Sequence, residues 1–330
     1  MRKDTAINYA IRMHEKLSLN IPVDVVKLAK QYGNLKYADI PFDIDGVAAN
    51  LKKPGITPTI IVNKNRPKTR QRFTIAHEIG HVIIPWHMGT IFDITNVANP
   101  DGAIDYWEME AEANAFATEL LMPTSWIKTL IQNSHDIANL NECIAKKAEV
   151  SIIAATLRLR SVLPAGYIFI VYDATGNVSY SGRSDGTYAT APQRGLNKAL
   201  VDKYEYAKEV YEFHSGREHY IWIKIPSEIE LESTHQGDWR EILEEIVTEI
   251  SGTKEQKTKY KQQLNGVLGY ANGVICKGDY NEKSLCSICI QRLAGNDELS
   301  ALTNHSKFND FLSSKVRDLV KKAKEKITNP

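Results

Sequence analysis

Residues 69–84 read TRQRFTIAHEIGHVII, and their periodicity decides what the first half of the chain is. Phe73, Ala76 and Ile84 share one helical stripe, and His77 and His81, four residues apart, project from that same face one turn apart. Thr69 is expected to cap the helix and Pro85 to break it. Two imidazoles so placed match a tetrahedral zinc ion, which takes histidine nitrogens at ~2.0–2.1 Å. Glu78 lies about 100° round the helix from His77. It is off the ligand axis, yet near enough to touch a water in the open coordination position. Gly80 lets another backbone approach beside His81. The plainer reading is two core histidines with a chance glutamate. With nine histidines in 330 residues, that coincidence is uncommon.

Two histidines leave a catalytic zinc site one protein ligand short. The stretch YWEMEAEANAFATELLMP (106–123) supplies candidates on a second helix. Its apolar stripe runs through Met109, Ala113, Phe116, Ala117, Leu120 and Leu121. Glu110 falls about 60° from the centre of the stripe and Glu112 about 100°, so Glu110 is preferred and Glu112 is the alternative. Asn114, one turn on, is placed either to support a ligand or to be a plain polar helix residue.

RFTIAHEIGH followed by EMEAEANAFATELLMP resembles the ImmA/IrrE family of zinc metallo-endopeptidases, with its HExxH helix and downstream E-x-x-A-N/D-x-F-A-x-x-L-L-M-P helix. The resemblance covers about residues 5–130, including DGVAANL and TIIVN before the HExxH helix. It implies a small gluzincin-like unit of helices on a short twisted sheet. It also supports Glu110 as the third ligand, since the first glutamate of the second motif is the fixed one. The chemistry then expected is zinc held by His77, His81 and Glu110, with Glu78 as general base. Arg72, His87 and Tyr106 are candidates to stabilise the oxyanion, with nothing to choose among them. The implied substrate is a protein, a helix-turn-helix repressor of stress or mobile-element genes. The rivals are a non-proteolytic metal-containing regulator that binds DNA or a protein partner, and a toxin–antitoxin or phage-defence component.

The rest of the chain narrows this little. A net charge of +1 gives no overall reason to expect nucleic acid or a membrane. No apolar run approaches the ~20 residues of a membrane helix. Four cysteines make no disulfide framework and fit a cytoplasmic setting. The expected architecture is α+β in three parts: a metallopeptidase domain over 1–130, a helix-turn-helix-like segment over 131–164, and a regulatory or sensor domain over 165–330. In the first, helices are expected from Pro22 to Gly33 and over 106–122, strands over 46–51 and 58–63, and a loop over 88–105. In the second, Ser151 should cap the later helix, while Glu149 stands where a turn glycine is frequent. Lys146, Lys147, Arg158 and Arg160 outnumber Glu142 and Glu149 by two, a thin footprint for DNA. In the third, strands are expected at 167–172, 177–181 and 219–225, then helices near 239–250, 254–270, 286–294 and 306–326. Cys276, Cys286 and Cys289, with His305, would form a metal or redox site, or else lie in a helical core.

Overall fold

The β-branched run TIIVN forms a strand because Ile60 and Val62 are buried while Ile61, between them, is half-buried. Around it, in this computed structural model, the described residues are 2–41, 43–94, 103–197, 204, 207–231, 233, 237–275, 281–293 and 296–328. The architecture is α+β, as expected, in two compact units, Met1–Val162 and Leu163–Pro330. Among the described residues no helix is long and apolar enough to cross a membrane.

The first unit holds strands β1 (Asn34–Ala38), β2 (Ile44–Leu51), β3 (Thr59–Asn63) and β4 (Gly89–Ile94), in the order β1-β3-β2-β4. Strand β1 runs parallel to β3, and the other pairs are antiparallel. Its helices are α1 (Lys3–Leu17), α2 (Val25–Tyr32), α3 (Lys68–Ile83), α4 (Ala103–Leu121), α5 (Thr124–Gln132), α6 (Ile137–Ala148) and α7 (Ile152–Val162). Helix α3 carries AHEIGH and packs on both the sheet and α4. Ile75, Ala76 and Ile79 of α3 are buried, as are Ala113, Phe116, Ala117 and Leu120 of α4. Helix α1 closes the other side of α4, where His14 Nε2 bonds to the Leu120 carbonyl at 2.7 Å.

Several local expectations are corrected. Helix α2 starts at Val25 rather than Pro22, because the Asp24 side chain accepts from Lys27 N and caps it. Helix α3 starts at Lys68 with Pro67 at its N-cap, so Thr69 lies inside the first turn and caps nothing. Within the expected loop 88–105, residues 89–94 form β4 and 103–105 open α4, while 95–102 fall outside the described residues.

Helices α6 and α7 belong to the first unit. Ser151 Oγ accepts from Ala154 N at 3.2 Å, capping α7 as expected. Glu149 takes the left-handed conformation itself, with φ 54°. Arg158 turns inward: its guanidinium pairs with the buried Glu119 and donates to the Met122 carbonyl at 2.9 Å. Arg72 on α3 donates to Ala148 O at 3.3 Å and to Val23 O at 2.6 Å, and lies 3.4 Å from the Glu149 carboxylate.

The second unit has an antiparallel sheet, β5 (Tyr167–Tyr172), β6 (Val178–Arg183), β7 (Glu209–Ser215) and β8 (Glu218–Lys224), in the order β6-β5-β8-β7. Every residue of β5 is buried. Helices α8 (Trp239–Ile250), α9 (Lys254–Ile275), α10 (Glu282–Leu293), α11 (Ser300–Thr303) and α12 (Phe308–Thr328) follow and share one apolar core. Cys286 and Cys289 lie on α10 in that core as free thiols, and burial pushes both up to about 12. Cys276 falls outside the described residues. His305 is bonded to Glu249 at 2.9 Å.

Candidate metal centre

Close approach of three elements builds the site. A Cβ on Gly80 would lie 3.0 Å from Phe116 Cδ1 and 3.4 Å from Ala113 Cα, so a side chain there would press Phe116 back from α3, and glycine leaves the two helices room to meet closely. On the opposite side of α3, a Cβ on Gly46 of β2 would overlap the Thr74 methyl and come within 2.5 Å of Glu78 Oε1. The missing side chain is the room in which Glu78 sits.

His77, His81 and Glu110 each offer a donor atom, all within 4.8 Å of one another. The two Nε2 atoms are 2.9 Å apart. Glu110 Oε2 is 3.2 Å from His77 Nε2, and its Oε1 is 3.4 Å from His81 Nε2. All three residues are buried. Glu112 does not join them. Its Oε2 accepts instead from Trp86 Nε1 at 2.6 Å and faces His87 Nε2 at 3.0 Å. Behind the histidines, His77 Nδ1 meets Asn114 Oδ1 at 3.0 Å and His81 Nδ1 meets His87 Nδ1 at 2.8 Å. Lys52 donates to the carbonyls of His81 and Val82 at 2.9 and 2.6 Å, closing the C-terminal end of α3.

The electrostatics describe a place for positive charge. Burial opposes protonation of His77, but its bond to Glu110 and the charges of Glu78, Glu110 and Asp93 win, holding it up at about 9. Burial, with His77 and His87 alongside, presses His81 down to about 3. Glu110 is held at about 2 despite its burial, by its bonds to the two histidines. Burial pushes the Glu78 carboxyl well above the usual range. Both Glu78 oxygens are buried with no hydrogen-bond partner, and Glu110 Oε1 has only the long 3.4 Å approach of His81 Nε2. Unpaired buried acceptors are costly. Here they gather beside two imidazole nitrogens, a donor set that fits a divalent metal ion.

Two sequence candidates have other work. Arg72 is committed to the carbonyls of Val23, just before α2, and of Ala148 on α6, and Tyr106 donates to the Phe92 carbonyl at 2.6 Å. His87 is fully buried behind His81 and is bonded through both ring nitrogens, so it is no oxyanion donor. Asp93 on β4 was missed. One of its oxygens lies within 4.8 Å of donor atoms of both His77 and Glu78. Burial, together with Glu110 and Asp45, raises its carboxyl against His77 and Arg70. The alternation in GTIFDI was the signal that could have placed it on a strand.

A pair of histidines on one helix, a glutamate from the next and a buried unpaired glutamate between the first two make this a candidate metal centre. Residues 18–160 match the family model described as the IrrE N-terminal-like domain. The chain is 31% identical over 112 residues to the radiation response metalloprotease IrrE of Deinococcus radiodurans, a stretch that spans 34% of each chain. A solved structure titled Mycobacterium tuberculosis transcriptional regulator covers 68% of this chain and 78% of its own, at 12% identity and a TM-score of 0.39, a likeness that bears on neither fold nor function.

Proposed function

We propose that the chain is a zinc-dependent endopeptidase whose ion is held by His77, His81 and Glu110. The observation that carries this reading is Glu78, fully buried with both oxygens unpaired beside the three converging donors. Bound zinc would supply Lewis acidity to a peptide carbonyl and bring the pKa of a water towards ~7. Glu78 takes the proton of the attacking water and returns it to the leaving amine. Its raised affinity for protons and its lack of other partners suit a group that must hold a proton between two steps. Asn114 and His87 orient the two imidazoles from behind. The substrate we propose is a protein, a helix-turn-helix repressor of stress or mobile-element genes. The family resemblance and the name of the Deinococcus relative support that choice. A cytoplasmic setting accords with the three described cysteines, which are all free.

The test is Glu78→Gln in the full chain. The variant should keep one zinc per chain by elemental analysis and lose cleavage of a proteome-derived peptide library and of a helix-turn-helix repressor encoded beside it. His77→Ala should lose both. A Glu78→Gln protein that cleaves at the parental rate overturns the assignment.

A further inference from the structure

Behind the proposed ligand His81 runs a buried chain of polar atoms that takes no part in the proton transfers and reaches beyond His87. His81 Nδ1 faces His87 Nδ1 at 2.8 Å, and His87 Nε2 faces Glu112 Oε2 at 3.0 Å. The same Glu112 oxygen receives the Trp86 indole N–H at 2.6 Å. His81 and His87 are fully buried and Glu112 is 2% exposed, so water does not complete these bonds. The chain joins the loop after α3 to α4 and ends at the ring that faces the metal centre.

We propose that His87 and Glu112 are positioning residues that set the tautomer of His81 and so aim a bare Nε2 at the metal. This rests on the zinc reading above. The argument starts at the far end. Indole N–H only donates, so Glu112 Oε2 is already an acceptor, and His87 Nε2 must therefore donate to it. A neutral His87 then carries its single proton on Nε2 and presents a bare Nδ1. Two nitrogens 2.8 Å apart share one proton. That proton belongs to His81 Nδ1, which leaves the Nε2 lone pair of His81 facing His77 and Glu110. The reversed order would set the bare Nε2 of His87 against an oxygen acceptor and place a proton on His81 Nε2, where a metal ligand needs a lone pair. A carboxylate that binds nothing at the site thus dictates which nitrogen of His81 is free. Its position two residues after Glu110 gives one turn of α4 both jobs: Glu110 faces the centre and Glu112 faces the relay.

The experiment measures zinc affinity of the full chain by competition with a chromophoric chelator, for the parent, His87→Leu, His87→Asn and Glu112→Gln. Leucine and asparagine have similar bulk, but only asparagine sets an oxygen acceptor where Nδ1 stood. The expected result is zinc binding weakened about 10–100-fold in His87→Leu and about 10-fold in Glu112→Gln, with most of the affinity kept in His87→Asn. A purely packing role for His87 predicts equal losses in the leucine and asparagine variants, and that result overturns the relay. So does parental affinity in a folded His87→Leu protein. Nitrogen-15 histidine spectra of the zinc-loaded parent test the same point without any mutation: protons on His81 Nδ1 and His87 Nε2 are expected. A proton on His87 Nδ1 overturns the proposal even where a variant fails to fold. A parent that binds no zinc overturns the metal reading and the relay together, whereas failure of the relay alone leaves the parent's zinc in place.

Discussion

Placing one methyl group on Gly46 tests the site without touching a ligand. Gly46 pairs with Val62 on one side and Asp93 on the other, in the middle of the sheet beneath α3. A Cβ there stands 2.5 Å from Glu78 Oε1, where ordinary contact begins at 3.4 Å, so the carboxylate must retreat by about 0.9 Å. The Thr74 methyl is overlapped as well, so it too must move. Forcing a methylene into such packing costs roughly 1–3 kcal/mol. A shift near 1 Å in a reacting group costs on the order of 10²-fold in rate. Gly46→Ala is therefore expected to unfold in urea about 1–3 kcal/mol below the parent, keep its zinc and cleave the peptide library on the order of 10²-fold more slowly. Gly80→Ala is the matched control. Its Cβ presses on Phe116 and Ala113 of α4, the helix that carries Glu110, so zinc affinity should fall first. Full cleavage by Gly46→Ala would refute the placement of Glu78. Zinc loss in Gly46→Ala without loss in Gly80→Ala would refute the division of labour between the two glycines.

Three further outcomes follow from the same geometry. His77 is held at about 9, above its ordinary 6.5, so a proton must leave its ring before zinc is taken up. Glu110 at about 2 and His81 at about 3 already have their lone pairs bare. Apparent zinc affinity should then rise about 10-fold per pH unit from pH 6 towards 9, with one proton released per ion, read by calorimetry in two buffers of different ionisation enthalpy. A flat profile would contradict the charge arrangement. Arg158→Ala removes the counter-charge of the buried Glu119 carboxylate, leaving it only its bonds from Thr124, and should cost about 3–5 kcal/mol in urea unfolding, while a loss under about 0.5 kcal/mol would mean that the pair is not formed in solution. Cys286 and Cys289, pushed up to about 12 in a closed core, should resist thiol reagents at neutral pH until the chain unfolds; rapid labelling of the folded protein would place them elsewhere.

The parts of the site legible in the sequence are those set by helical period. His77, His81 and the inward tilt of Glu110 follow from 100° per residue, and the need for Gly80 follows from the face it shares with the histidines. What could not be read depends on tertiary contacts. Whether Glu112 binds the metal or backs a ligand turns on Trp86 and His87, which sit in a loop whose path no period fixes. Arg72 looked available for catalysis because nothing in its neighbourhood announces that Val23 and Ala148 will accept its protons. Asp93 was hidden by the Gly, Asn and Pro residues around a short strand. At Pro22 the favoured first-turn residue competed with a better cap two positions later, and the hydrogen bond from Lys27 to Asp24 decided the start of α2.

The turn between α6 and α7 has a mechanical consequence. Glu149 stands there in a left-handed conformation that a glycine would adopt at no steric cost, and its carboxylate lies beside Arg72, which also holds the carbonyl before it. Arg72 is one helical turn and a residue ahead of His77 on the same rod. A load applied to the α6–α7 hairpin is thereby delivered to the helix that bears both histidines, and the hairpin cannot be pulled away from the domain without first letting go of that rod.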